Sequence, residues 1–304
     1  MALECDVETG YMAEITRMQQ VLVIGGTGRM GIPTVRELVD RGAHVRVMTR
    51  SASKAASLSE SHVTGVVGDL NRSYSLRDAF DAIDVLILIT AHSITETGQG
   101  LAAVSTALAG RVRRIIFLSS AVGPGAMRIP HIAAKAPVEH ALITSRTDYT
   151  IVRAHSLFQN DLAVESSIQA GRYPLPVGNT GISRIDVRDV AEALATAALE
   201  SGHERRIYTL GTPERFTGDA IANAYGARYC GDDLEEWERI VAATKPKWQR
   251  DDLRIMFRYY QECGMSMSLH DLVEQERILA ADPRPFNAYV EERSDELETA
   301  CAGC

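Results

Sequence analysis

The stretch from Val21 to Arg50, VLVIGGTGRMGIPTVRELVDRGAHVRVMTR, reads as strand, glycine turn, helix and second strand. VLVIGG is apolar at successive positions, so both faces of that strand must be covered, as in a parallel sheet with helical crossovers. In IPTVRELVDRG, Val35, Leu38 and Val39 share one helical face, Arg36, Glu37, Asp40 and Arg41 turn away, and Gly42 supplies the stop. Pro33 fits only in a first helical turn, where backbone N–H groups are unpaired anyway. HVRVMTR then resumes the strand pattern.

The same alternation extends outward. VTGVVGD (63–69), DVLILIT (84–90) and RIIFLSS (114–120) read as further strands, followed by YTIVRAH (149–155) and RIYTLG (206–211), with DVRDVAEALATAALE (186–200) as a helix. Strands alternating with helices predict an α/β chain with a parallel sheet out to about residue 211. Beyond it the pattern is mostly helical, with DDLRIMFRYYQECG and SLHDLVEQERILA as two helices. The Gly-, Pro- and polar-rich segment 156–185 reads as an excursion from the sheet.

The turn GGTGRMG contains both Gly26-x-Gly28-x-x-Gly31 and Gly25-x-x-Gly28-x-x-Gly31. Between a strand and a helix, such glycines let backbone approach a pyrophosphate while the helix N-terminus offers N–H groups. A structural turn cluster is the bland alternative, which the strand–helix context disfavours. The residue ending the second strand is acidic where NAD is bound, because a carboxylate accepts from the ribose 2′-hydroxyl. Here it is Arg50, which suits the 2′-phosphate of NADP, with Arg29 closing from the loop. The expected cofactor residues are Gly25, Thr27, Gly28, Arg29, Met30 and Gly31 of the loop, then Arg50, Asp69 and Leu70, then Thr90, Ala91 and Ser119 at strand ends, and Lys135. Asp69 reads equally as an adenine contact or a cap.

Composition excludes other classes. A net charge of −8 argues against a general nucleic-acid or anionic-membrane binder. Five scattered cysteines suit free thiols in a reducing cytoplasm better than a disulfide framework, and the terminal Cys301-x-x-Cys304 reads as part of a frayed tail; no metal site is expected. The acidic N-terminus resembles neither a signal nor a transit peptide, and the longest apolar runs fall short of a membrane span. A soluble, cytoplasmic monomer or homodimer acting on a small molecule is expected.

The joint order of Val21–Arg50, VVGDLNRSYSL (66–76), RIIFLSSAVG (114–123), KAPVEHALITSRTDYTIVRAHSLFQN (135–160), RIDVRDVAEALATAAL (184–199) and RIYTLGTPERFTGDAIANAYG (206–226) resembles the NmrA-like group of atypical short-chain dehydrogenase/reductases. The resemblance covers most of the chain from residue 20 to about 290. It implies a doubly wound parallel-sheet Rossmann fold with a smaller, mostly helical C-terminal substrate lobe, and NADP(H) as cofactor. The expected division is a flexible extension 1–19, a cofactor domain 20–155 and 185–211, a substrate lobe 156–184 and 212–295, and a tail 296–304. Known activities of the group imply three options: an NADPH-dependent reductase of a small carbonyl, quinone or aromatic metabolite, an NADP(H)-sensing regulator without turnover, or a redox-neutral isomerase or epimerase. The group's usual Arg-Pro after the sixth strand is Arg153-Ala154 here.

The resemblance implies that Lys135 lies beside the nicotinamide ribose; read without it, Lys135 is an exposed helix lysine paired with Glu139 at i,i+4. The superfamily's Tyr-x-x-x-Lys has His131 in place of tyrosine, an exchange that also occurs in this atypical group. Pro137 denies Ala133 its helical partner, so the helix is expected to start near Ala133 or Ala134, with His131 on the preceding loop. His131 is either the proton donor or a plain surface histidine. His92 and His155 at strand ends, with Phe158 and Asn160, are the expected substrate wall. Phe158, Tyr173, Trp237, Trp248, Phe257, Tyr259 and Tyr260 are either an aromatic wall or the second lobe's core.

Overall fold

The computed structural model describes residues 19–58 and 61–302, with 297–302 as backbone only. Seven parallel strands form the central sheet: β1 (Gln20–Ile24), β2 (His44–Thr49), β3 (Val63–Val67), β4 (Val85–Leu88), β5 (Arg114–Ser120), β6 (Asp148–Ala154) and β7 (Arg206–Leu210). Their spatial order is β7-β6-β5-β4-β1-β2-β3, so the winding reverses between β1 and β4. Each expected run is a strand, and the sheet is the doubly wound one the sequence implied.

Adjacent residues of one strand serve opposite cores, which is why the runs lack polar interruption. Val21, Val23, Val85 and Ile87 join the cluster beneath helices α1 (Gly31–Asp40) and α6 (Val187–Leu199). Leu22, Ile24, Leu86 and Leu88 join the cluster beneath α3 (Glu96–Ala109) and α5 (Ala136–Thr144). Pro33 sits in the first turn of α1, as its missing N–H requires. Two more helices matter for the site, α2 (Ala52–Ser57) and the one-turn α4 (Pro130–Ala133).

A second core holds Phe158, Tyr173, Trp237, Phe257, Tyr259, Tyr260, Phe286 and Tyr289. Most of it comes from after residue 211, including α7 (Lys247–Cys263). One stretch behaves otherwise: Ile278 and Leu279 join the first lobe's core, next to helix α8 (Leu269–Gln275), whose Gln275 Oε1 accepts from the Gly211 amide. The expected lobe 212–295 is therefore interrupted by a segment packed on the cofactor domain.

Two further expectations are corrected. His131 does not lie on a loop: Pro130 starts α4, the helix is interrupted at Ala134–Lys135, and Lys135 then caps α5 with Pro137 in its first turn. The break is held by Thr97, whose hydroxyl donates to the Ala134 carbonyl at 2.7 Å. The expected tail is helical through Ala302, in a helix beginning at Phe286. Of the extension 1–19 only Gln19 is described, and its side-chain amide donates to the Ala198 carbonyl; Cys304 lies outside the described residues. No helix among them is long and apolar enough to cross a membrane.

Candidate active site

A cleft of about 990 Å³ runs along the C-terminal ends of β1, β2, β3 and β4, across the point where the winding reverses. This is where an open α/β sheet leaves room for a ligand. Its floor is the glycine turn. Gly25 has φ +84°, and the Gly28 amide donates to the Gly25 carbonyl at 3.0 Å. A Cβ on Gly31 would stand 2.1 Å from the Gly25 carbonyl oxygen and 2.4 Å from the Gly26 Cα. Side chains are thus excluded where backbone must meet a pyrophosphate, and the residues present fit a dinucleotide.

Of the expected cofactor residues, Gly25, Thr27, Gly28, Arg29, Met30, Arg50, Asp69, Leu70, Thr90 and Ala91 line this cleft. Asp69 also uses Oδ1 to hold its own turn, accepting from the Asn71 amide at 3.0 Å. Ser119 does not reach the cleft: it is buried within β5 beside Arg153 of β6. Arg29 and Arg50 are exposed, and Lys54 of α2 lines the same end. Among the described residues none of these three cations makes a side-chain hydrogen bond or ion pair, so their charge is uncompensated where a phosphate would enter.

Lys135 does not line the cleft wall itself but reaches its edge through Thr90. Its Nζ donates to Glu96 Oε1 at 2.7 Å and to Thr90 Oγ1 at 3.0 Å, and Thr90 donates to the same carboxylate oxygen at 2.7 Å. The pair is buried, with side-chain exposures of 13% for Lys135 and 3% for Glu96. The surface pairing of Lys135 with Glu139 is excluded, because Glu139 takes a two-pronged hydrogen bond from Arg153. That bond and burial act oppositely on the Arg153 guanidinium, and the bond to Glu139 prevails, raising its pKa. Glu96 is brought under Lys135 by close helix packing: a Cβ on Gly100, one turn along α3, would stand 2.5 Å from Val138 of α5.

Beyond Thr90 lies a trio from three elements. Asp252 on α7 accepts from His92 Nε2 at 2.6 Å and from His131 Nδ1 at 2.8 Å. The two imidazoles are 5.1 Å apart, and Trp248, one turn before Asp252, meets His92 edge-on at 5.1 Å. Burial alone opposes ionisation of Asp252, but the imidazole hydrogen bonds outweigh it and hold the carboxyl well below the usual carboxylate range. The three ligand-capable atoms lie within 4.8 Å of one another.

Of the expected substrate wall, only His92 lines the cleft. Phe158 is fully buried against Phe286 and Tyr289, with the Arg184 guanidinium over its ring, so it belongs to the second core. His155 is packed behind the sheet edge against Gly211, and burial lowers its pKa to about 4. Asn160 is exposed and turned back to Ser156. The other aromatics are core residues, except Trp248. Sequence reasoning missed Glu96, Lys54 and Asp252. The i,i+4 spacing of Trp248 and Asp252 was a usable signal, but only once the helix is known to start at Lys247.

Fold and site together define a dinucleotide-binding α/β protein with a charged, histidine-bearing end to its cleft. The chain belongs to the NAD(P)H-binding family, whose match spans residues 25–200. It is similar to the NAD(P)H azoreductase of Xenophilus azovorans, 26% identical over 237 residues, covering 73% of this chain and 80% of that protein. It is also similar to the photosystem II assembly factor Ycf39 of Cyanophora paradoxa, 28% identical over 220 residues, covering 66% of each. In fold it is similar to the Citrobacter sp. triphenylmethane reductase complexed with NADP(H), with a TM-score of 0.79 at 20% identity, over 90% of this chain and 99% of that one.

Proposed function

We propose that this protein is an NADPH-dependent reductase that delivers a hydride to a small carbonyl, quinone or other electron-poor aromatic acceptor. The carrying observation is one cleft with three cations, unpaired among the described residues, at its nucleotide end and, at the other, His92, which shares the Asp252 carboxylate with His131. When bound, the reduced nicotinamide supplies the hydride and leaves oxidised. His131, protonated on both nitrogens, supplies the accompanying proton from Nε2, keeps its Nδ1–H on Asp252, and regains the Nε2 proton from solvent. Lys135, fixed by Glu96 and Thr90, presents a positive charge at the cleft edge that orients ribose hydroxyls and stabilises a developing oxyanion. Trp248 and His92 form the wall against which a flat acceptor lies. Similarity to an azoreductase supports a planar, reducible substrate.

The test is nucleotide consumption across a panel of quinones, carbonyl compounds and azo dyes. Acceptor-dependent oxidation of NADPH is the expected result; tight nucleotide binding without turnover on any acceptor would favour a role like that of the assembly-factor relative. Nucleotide choice has its own prediction. Arg50→Asp removes a charge-assisted contact to the 2′-phosphate and adds an acceptor for the 2′-hydroxyl, so the NADPH/NADH affinity ratio should fall roughly 10- to 100-fold. Fluorescence titration with both nucleotides measures it, and an unchanged ratio would remove Arg50 from the site.

A further inference from the structure

We infer that Asp252, carried by the second lobe, is a positioning residue that fixes the tautomers of both His131 and His92 and so selects which ring atoms exchange protons with substrate. The inference rests on the reductase reading for its chemistry, but not for its geometry. An ionised carboxylate only accepts hydrogen bonds. The nitrogens facing it, Nδ1 of His131 at 2.8 Å and Nε2 of His92 at 2.6 Å, must therefore both carry protons. That leaves Nε2 of His131 and Nδ1 of His92 as the free positions. Neither is a buried atom lacking a partner, so each is open to solvent or substrate.

The arrangement joins the two lobes at the reaction end. His92 follows β4 in the first lobe, whereas α4, which bears His131, and α7, which bears Asp252, both pack into the second core, through Ile132 and through Phe257, Tyr259 and Tyr260. His92 thus meets Asp252 only when the lobes are packed together. A shared carboxylate also explains how two imidazoles stay 5.1 Å apart at the cleft end with defined hydrogen-bonding roles. A metal ion bridging the same atoms is the competing reading. At metal–ligand bonds of about 2.0–2.2 Å, tetrahedral ligands stand roughly 3.3 Å apart. The observed separations to Asp252 are shorter and match direct hydrogen bonds.

The experiment is ¹⁵N-detected imidazole spectroscopy of the full-length, histidine-labelled protein at a pH where the rings are neutral, with His92→Gln and His131→Gln to assign the two rings among the 8 histidines. The expected result is a proton on Nδ1 of His131 and on Nε2 of His92. In Asp252→Asn both signatures should shift toward averaged tautomers, with kcat falling about 10- to 100-fold and KM for NADPH holding within about 2-fold. The wild-type spectrum alone decides the point if that variant does not fold. Opposite or freely averaging tautomers in the wild type would overturn the inference. So would stoichiometric Zn²⁺ binding that is abolished in Asp252→Asn, which would make the trio a metal site. Fixed tautomers in a protein that oxidises no NADPH would sustain the geometric inference while sinking the reductase reading.

Discussion

Replacing Lys135 by methionine is expected to cost roughly 3–5 kcal/mol of stability and to lower NADPH-dependent turnover at least about 100-fold. Methionine keeps the length of the side chain but leaves the Glu96 carboxylate, only 3% exposed, without its cation and with Thr90 as its remaining donor. A buried charge stripped of its partner is far costlier than the pair was worth. The double change Lys135→Met with Glu96→Gln separates the two roles. A neutral amide at position 96 removes the uncompensated charge, so urea unfolding should return most of the stability. Turnover should stay low, because the positive charge at the cleft edge is still missing. Recovery of both together would mean that Lys135 serves the fold and not the chemistry.

His155 should make the protein lose about 3 kcal/mol of stability between pH 7 and pH 4. Burial lowers its pKa from an ordinary 6.5 to about 4, partly opposed by the charge of Asp271. The unfolded chain therefore takes up a proton on this ring as the pH falls through 6.5, whereas the folded chain does not until about 4. Unfolding is favoured across that window, and the loss levels off below it. Its Nδ1 is buried without a hydrogen-bond partner among the described residues, so an apolar replacement forfeits no bond there. His155→Leu should flatten the wild-type decline over this range in urea unfolding curves taken at several pH values. Parallel curves for the two proteins would show that His155 titrates normally.

How far the sequence revealed this molecule depends on the range of each signal. The sheet was legible because each strand is apolar on both faces, and Leu22 and Val23 do go to opposite cores. The glycine turn was legible because its constraint is local, a carbonyl 2.1 Å from where a Cβ would stand on Gly31. The reaction end was half legible. Lys135 and His131 were singled out by a family pattern, but their partners Glu96 and Asp252 lie 39 and 121 positions away. Nothing local marks Asp252 as buried and its neighbour Asp251 as half-buried; only the docking of α7 against His92 and His131 decides that. The same limit explains Phe158 and His155. Both follow a strand end, where ligands are expected, yet the chain turns them into packed interior, a choice made by Phe286, Tyr289 and Gly211 far along the sequence.

Hydride transfer is tested most directly by following an isotope. NADPH carrying deuterium at both C4 positions of the nicotinamide ring, incubated with the protein and a carbonyl acceptor chosen from the panel, should yield alcohol carrying deuterium on the former carbonyl carbon, one label for each nucleotide oxidised, while the second label stays in the oxidised nucleotide. Product formed with both labels still in the nucleotide would contradict the account and point to redox-neutral chemistry. Nucleotide bound but never oxidised, with any acceptor, would contradict it in favour of a binding role without turnover.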